Sequence, residues 1–536
     1  MSEETILSSV TSALAVDGFE PVLTPKGAIF RGSVRVRDID VRLRLEFRDL
    51  EFCEPPYLFI ENPAALPRKV LPHLDEKSEL CVVDRRQFVA DRYHAAAEAR
   101  GIVVRARGII ERGLTRHADD DIAEEFPQHW GGAGIGIEFG AYEGPTQQVA
   151  DDGGFIRFRP GGGMTGWAIL AKARLSFAEN QKRPDTLNEF LEWAGYWDPT
   201  LPGRAMDALR DLSSADPHLI IIAPNGTVGF TLMVSSRGRA QVDALKRPDG
   251  WRRALRTPLV AALPIRRDHG YRADIDYALE RSGDGTPPLS GKQVVLVGCG
   301  SIGGFLSRSL AQIGAGHGGG QLVLIDDERL ATVNVGRHVL GVGDVGNLKA
   351  QACRDLIIRD LPGTAILARP FVVRTQRSLV QGADLTIDAT GERGVGERLN
   401  AWMLEAQATG AGFPCLLHAW IEGAGAAVQS FMGSDAAFAC LRCLKPDPTD
   451  AHSRFSALRD EAAVQLSGGC GEALFTPYGA AAPMMAAAMA TQHAYDWVKG
   501  HPRPLLRTGR LDWASTKEVK PTNPTATKLC PACRRA

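Results

Sequence analysis

The segment from Val294 to Ile313 restricts the fold more than any other stretch of the chain. Val294-Val-Leu-Val297 is a short apolar run, Gly298-Cys-Gly300-Ser-Ile-Gly303 follows it at once, and Phe305 to Ile313 reads as a helix. Glycines there permit a tight turn and a close approach of backbone to a ligand. The helix that follows offers amides and a partial positive charge to phosphate. A second strand, Gln321 to Ile325, ends at Asp326. That puts an acidic side chain about 20 residues past the last glycine, where a ribose hydroxyl would sit. Strand, glycine turn, helix and strand in this order predict a parallel sheet and an α/β fold. Taken alone the motif says dinucleotide or ATP, and an NAD-dependent oxidoreductase is the first expectation from it.

The residues that follow reverse that expectation. Asp326-Asp-Glu-Arg-Leu-Ala-Thr-Val-Asn-Val-Gly-Arg-His338 is followed by Gly346-Asn-Leu-Lys349-Ala350 and by Asp384-Leu-Thr-Ile-Asp388-Ala-Thr390. This ordered series resembles the ThiF/MoeB/E1 superfamily of ATP-dependent adenylyltransferases. Members carry D-x-D, S-N, R-Q, G-x-x-K-A and D-x-T at matching spacing, and Asp326, Glu328, Asn334, Arg337, His338, Lys349 and Asp388 fill those positions. The resemblance implies a Rossmann-like domain in which Asn334, Arg337 and Lys349 contact the polyphosphate and Asp326 the ribose. An adenylating enzyme needs such cations because charge must be neutralised as pyrophosphate leaves. The resemblance also implies Mg²⁺. Where members have D-N after D-x-T this chain has Gly391-Glu392, which leaves Asp388, Glu392 or the substrate's own oxygens to hold the ion.

Cys440-Leu-Arg-Cys443 and Cys530-Pro-Ala-Cys533 are two C-x-x-C pairs. Each can present two thiolates to one ion, and together they predict a tetrahedral Cys₄ zinc clip that ties the C-terminal segment down. Between them lies Ser467-Gly-Gly-Cys470-Gly-Glu-Ala. ThiF/MoeB-like proteins have a cysteine at the matching place, on a mobile loop, that in some members takes the activated acyl group. A thiolate attacking an acyl-adenylate retains the activation as a thioester while AMP leaves.

The N-terminal region has strand-like alternation, with Ile39, Val41, Leu43, Leu45 and Phe47 against Asp40, Arg42, Arg44 and Glu46. Pro55 to Pro72 is too broken by proline for a helix or a central strand. Glu54-Pro-Pro-Tyr57 and Leu71-Pro-His-Leu-Asp-Glu-Lys-Ser-Glu-Leu-Cys81 resemble the ubiquitin-conjugating (E2) fold, in which a P-P turn follows the sheet and H-P-N precedes the nucleophilic cysteine. Pro72 matches the family's Pro, His73 replaces its Asn and Leu71 its His. The resemblance makes Cys81 the acyl acceptor and gives His73 the role of oxyanion donor or base. Asp84 is near enough in sequence to orient an incoming lysine. Cys53, Cys353 and Cys415 read as structural, and Cys299 lies in the glycine loop itself.

Bulk properties narrow the rest. The chain has 536 residues with 62 Lys+Arg against 63 Asp+Glu, so no basic excess argues for direct contact with nucleic acid or anionic lipid. No apolar run reaches the roughly 20 residues of a membrane span, and the Ala-rich stretch Gly479 to Ala490 reads as a buried helix. The acidic Met1 to Ile6 does not read as a signal peptide, and ten cysteines fit metal and thiol chemistry in a reducing cytoplasm. Residues 131 to 165 are Gly-rich and are expected to form loops or a linker. The region from about 165 to 280 reads as helical segments with one buried strand, Leu219 to Ala223.

These readings divide the chain into an α+β E2-like (UBC) domain at 1–145, an α/β linker domain at 146–284, and a Rossmann-like ThiF/E1 adenylation domain at 285–536. An E2-like domain ahead of an E1-like one is similar to the E2–E1 fusions of bacterial anti-phage (CBASS-type) operons. The resemblance of the C-terminal half to ThiF implies a homodimer, and the cysteine usage a cytoplasmic enzyme. The resemblance to the fusions implies a protein substrate joined through its C-terminus, either a cGAS-like nucleotidyltransferase or a ubiquitin-like protein. Two other readings stay open: a sulfur-carrier adenylyltransferase whose N-terminal region only binds a partner, and a nucleotide-gated, non-catalytic scaffold.

Overall fold

The computed structural model describes every residue except 1–2, 25–26, 50–53, 85–87, 89–90, 116, 150–155, 162–164, 212–215, 235–261, 273, 284, 434, 448–452, 460–476 and 534–536. The chain forms two compact units, Met1–Asp274 and Ile275–Ala536. Among the described residues no helix is long and apolar enough to cross a membrane.

The first unit opens with the helix Glu3–Val16 and an antiparallel sheet of β1 (Glu20–Thr24), β2 (Gly27–Val36), β3 (Ile39–Phe47) and β4 (Tyr57–Ile60), in that order. The alternation expected along β3 is present: Val41, Leu43, Leu45 and Phe47 are buried and the residues between them are not. Pro55 and Pro56 precede the edge strand β4, a place where a missing N–H costs no ladder bond. The helix Ala95–Gly113 packs on Glu3–Val16; its Ala99, Ile102, Ala106 and Ile110 recur every three or four residues and are fully buried.

The rest of this unit departs from the sequence reading. Residues 131 to 165, expected as loops or linker, contain β5 (Ala133–Ile137), β6 (Gly144–Val149) and β7 (Ile156–Pro160). With β8 (Gly166–Leu170), β9 (His218–Ala223), β10 (Gly226–Leu232) and β11 (Ile265–Arg272) they close a barrel in the order β10-β11-β5-β7-β6-β8-β9. Local composition hid these strands because their partners are remote: β5 runs parallel to β11 and to β7. Glycine serves close packing there, since a Cβ on Gly132 would lie 1.9 Å from the Arg267 carbonyl oxygen. The buried strand expected at Leu219–Ala223 is β9. Phe126, Trp130, Phe177, Phe190 and Trp193 form an aromatic cluster outside the barrel, with Phe126 and Trp193 stacked at 5.7 Å.

The second unit is a seven-stranded sheet in the order β14-β13-β12-β15-β16-β17-β18. The strands are β12 (Gln293–Val297), β13 (Gln321–Ile325), β14 (Ile366–Arg369), β15 (Leu385–Asp388), β16 (Cys415–Glu422), β17 (Ala427–Met432) and β18 (Leu506–Arg510). The first five are parallel and the last two antiparallel. The chain steps from β12 outward to β13 and β14, then returns to β15 on the other side. This reversal opens a crevice beyond the carboxyl ends of β12 and β15, where ligands bind in such sheets. The expected helices are present as Ser301–Gln312 and Ala481–Val498; in the second, Ala482, Ala486, Ala487, Ala490 and Ala494 are buried at helical spacing.

Candidate functional site

The glycine loop lies at that crevice. Gly298 adopts φ +88°, and a Cβ there would meet Thr390 at 2.8 Å. A Cβ on Gly303 would lie 1.8 Å from the Gly298 carbonyl oxygen, whereas one on Gly300 would meet nothing within 4 Å. The first and third glycines therefore close the turn, and the middle one leaves open space at the N-terminus of Ser301–Gln312.

Asp326 fastens the loop: its carboxylate accepts from the Cys299 N–H at 2.7 Å and from the Glu328 N–H at 2.8 Å. Burial raises its pKa while those two bonds and Lys349 pull it down. His338 accepts the Leu340 N–H at Nδ1 (3.1 Å), so Nε2 carries the proton that is donated to the Cys299 carbonyl oxygen at 2.8 Å. Burial lowers its pKa and keeps that neutral tautomer. Lys349 is buried and its Nζ pairs with the Glu328 carboxylate.

Gly298, Gly300, Asp326 and Glu328 line one cavity of about 500 Å³, together with Phe371, Val372, Val373 and the cations Arg374 and Arg398. Asn334 and Arg337 stand outside its wall, on the short turn Thr332–Arg337. The Asn334 side-chain oxygen accepts the Ala331 N–H at 3.0 Å, and the Arg337 guanidinium lies 4.6 Å above the Tyr478 ring. The Tyr478 hydroxyl is 3.2 Å from Ser301 Oγ, the first residue of the loop helix.

Asp388 ends β15. One of its oxygens accepts from the Thr390 N–H (3.1 Å) and hydroxyl (2.7 Å), and the other accepts from His418 Nδ1 at 3.0 Å. Asp388 and His418 line a second cavity of about 290 Å³ with Trp420, Leu441 and Lys445, and Glu392 borders both cavities. Burial, then the carboxylates of Glu328, Asp388, Asp327 and Asp326, raise the Glu392 pKa. A bound divalent cation would relieve that repulsion, so this donor set fits Mg²⁺.

The four clip cysteines come together, their ligand atoms all within 4.8 Å of one another. Sγ–Sγ separations are 3.8 Å for Cys440–Cys443, 3.7 Å for Cys440–Cys530 and 3.5 Å for Cys443–Cys533. Zn–S bonds of about 2.3 Å in a tetrahedron give edges of about 3.8 Å, so the set is compatible with zinc. Burial and the neighbouring thiols push the Cys443 thiol up to about 11, against the thiolate form that a cation would favour.

Cys81 is exposed; its N–H donates to the His73 carbonyl oxygen at 2.8 Å and its Sγ lies 3.6 Å from the Val83 carbonyl oxygen. His73 has φ +61°, and its Nδ1 is 3.3 Å from a Glu125 carboxylate oxygen. Asp84, three residues after Cys81, is exposed. Cys470 and Cys53 lie outside the described residues. Cys299 and Cys353 are buried, and Cys415 is half-buried. His418, Tyr478, Arg374 and Arg398 carried no signal in the sequence, because strand pairing and chain return, not local spacing, bring them to the crevice.

Residues 276–532 match the ThiF family, and residues 17–133 match the prokaryotic E2 family B. The ATP-dependent ubiquitin transferase-like protein Cap2 of Pseudomonas aeruginosa is 29% identical over 567 residues, covering 99% of this chain and 100% of that protein. Its Escherichia coli namesake is 34% identical over 233 residues, covering 41% of this chain and 37% of that protein. Among solved structures, E. coli MccB with ATP is similar at 16% identity and a TM-score of 0.35, covering 48% of this chain and 70% of that one. With an E2 family B domain ahead of a ThiF domain in one polypeptide, the chain belongs to the E2–E1 fusion proteins and is an E1/E2-like enzyme.

Proposed function

We propose that the chain activates the C-terminal carboxylate of a protein with ATP and passes the acyl group along two of its own thiols to an amine. The observation that carries this reading is the conjunction, in one chain, of a nucleotide crevice and an exposed cysteine on an E2-type loop.

In the first step a carboxylate oxygen attacks the α-phosphorus and pyrophosphate leaves. The loop amides after Gly300 take phosphate oxygens, Asp326 takes the ribose, and Lys349, Asn334 and Arg337 turn toward the polyphosphate. Glu392 or Asp388 would hold Mg²⁺, which would supply charge neutralisation. In the second step the Cys470 sulfur bonds to the acyl carbon and AMP leaves. In the third the Cys81 thiolate displaces that of Cys470. An amine then attacks the carbon, with His73 steadying the oxyanion or taking the amine proton, and Cys81 departs. Cys440, Cys443, Cys530 and Cys533 would hold zinc in a structural role, since four thiolates would leave no open coordination position.

The relative matched over its whole length, named as ATP-dependent ubiquitin transferase-like, supports a protein acyl donor; the resemblance to CBASS-type fusions makes that donor either a cGAS-like nucleotidyltransferase in anti-phage defence or a ubiquitin-like protein. The enzyme works in the cytoplasm as a homodimer. Linking the two thiols in one chain raises the concentration of each near the other.

Intact mass spectrometry of the chain with ATP and each candidate substrate tests this. A covalent adduct is expected, lost in Cys470→Ala and confined to Cys470 in Cys81→Ala. Conjugates unchanged in Cys81→Ala would favour a sulfur-carrier adenylyltransferase. Absence of ATP–pyrophosphate exchange with every candidate would favour a non-catalytic scaffold.

A further inference from the structure

The loop that ends at Cys81 is not stiff by its own sequence. His73 and Ser78 both hold left-handed backbone, with φ +61° and +65°, which non-glycine residues adopt only when their surroundings impose it. Part of that constraint is local: Asp75 Oδ1 accepts the N–H groups of Lys77 (2.8 Å) and Glu79 (2.7 Å). The other part comes from the barrel, far away in sequence.

Arg267 on β11 reaches the loop through its guanidinium. Nη2 pairs with the Glu76 carboxylate at the loop's tip, while Nη1 donates to the Pro184 carbonyl oxygen (2.8 Å) and to Asp185 (2.5 Å), and Nε to the Trp130 carbonyl oxygen (3.1 Å). With its head so held by the barrel side, the arginine is a rigid fork rather than a swinging charge. Gly131 makes the seat: it has φ +78°, and a Cβ there would lie 2.5 Å from the Glu76 carboxyl carbon. A second arginine, Arg183, donates to the His129 carbonyl oxygen at 2.5 Å and to the Leu74 carbonyl oxygen at 3.4 Å.

We infer that Arg267 is a positioning residue for acyl transfer: through Glu76 it braces the segment 73–80 against the barrel and so sets where the Cys81 sulfur stands. This rests on Cys81 being the acyl carrier. It also gives the barrel a task, as the template on which the thiol loop is held. Thioester exchange requires sulfur and acyl carbon to meet in near-attack geometry, and a misplacement of about 1 Å costs on the order of 10²-fold in rate.

The test uses the full-length protein with ATP and its acyl substrate. Glu76→Ala removes the loop's side of the brace from a partly exposed position and leaves Arg267 its bonds to Trp130, Pro184 and Asp185, so this variant keeps its fold. Amide exchange read by mass spectrometry is expected to speed up across residues 73–81, where the Cys81 N–H is bonded to His73. Thioester formation on Cys81 should slow at least tenfold, with ATP–pyrophosphate exchange within about twofold of the parent. Arg267→Ala should match it, and Arg267→Lys, which keeps charge without the fork, should recover only part. Unchanged amide exchange and thioester rate in Glu76→Ala would overturn the inference. If the parent carries no acyl group on Cys81, the functional reading fails, and the exchange measurement still decides whether the brace exists.

Discussion

Gly300 and Gly303 stand three residues apart in one loop and ask different things of glycine. At Gly303 an added Cβ would overlap the Gly298 carbonyl oxygen at 1.8 Å, so backbone must move. Gly303→Ala should cost about 1–3 kcal/mol and lower the melting temperature of the second unit. At Gly300 the space is open and φ is −75°, which alanine adopts freely. Gly300→Ala should melt like the parent yet bind ATP about tenfold more weakly, because the methyl group occupies the place of a phosphate oxygen. Calorimetry and nucleotide titration separate the two, and a Gly300→Ala variant with parental ATP affinity would remove phosphate from that space. The loop was legible in sequence because turn, helix start and acidic residue are local. His418 was not: it faces Asp388 only because β16 pairs with β15, across 30 residues. The roles of Asn334 and Arg337 came from resemblance, and their side chains here engage Ala331 and Tyr478.

The barrel shows the limit at the scale of elements. Apart from β9, its strands are short and several pair with remote partners, as β5 does with β11, so neither periodicity nor turn residues mark them. Its interior also breaks the rule that buried positions are apolar, with His218, Thr231 and Asp268 all buried. Burial drives His218 down to about 3 and Asp268 up to about 6. The Asp268 carboxyl is thus favoured neutral in the folded state. Its contribution to stability is present below about 3.8, the unfolded value, and is lost as pH rises through about 6. The gap corresponds to about 3 kcal/mol once the carboxylate is fully charged. Asp268→Asn should therefore raise the melting temperature of the first unit at pH 8 and leave it nearly unchanged at pH 4. His218 acts in the opposite sense: its contribution is present above about 6.5 and is lost as pH falls toward about 3. His218→Phe should accordingly flatten the acid limb of the same melting curve. A stabilisation by Asp268→Asn that grew toward acid would contradict the burial argument.

Across the whole molecule, two units with separate cores predict two unfolding transitions, and the four-cysteine clip belongs to the second alone. Its pairs, Cys440–Cys530 and Cys443–Cys533, each join residues 90 apart. By analogy with a covalent crosslink, closing a loop of that length is worth about 4–5 kcal/mol through the unfolded chain. Stripping the proposed zinc with a chelator should therefore lower the second transition by on the order of 10 °C and leave the first in place. ATP–pyrophosphate exchange should fall with it only at temperatures where the second unit begins to open, because the clip contributes no group to the nucleotide cavity. Cys443→Ser should reproduce the shift without chelator, and adding zinc back should restore the stripped parent but not the variant. Loss of exchange at low temperature with the second transition unmoved would instead make the ion part of the chemistry, and the structural assignment of the clip would fall.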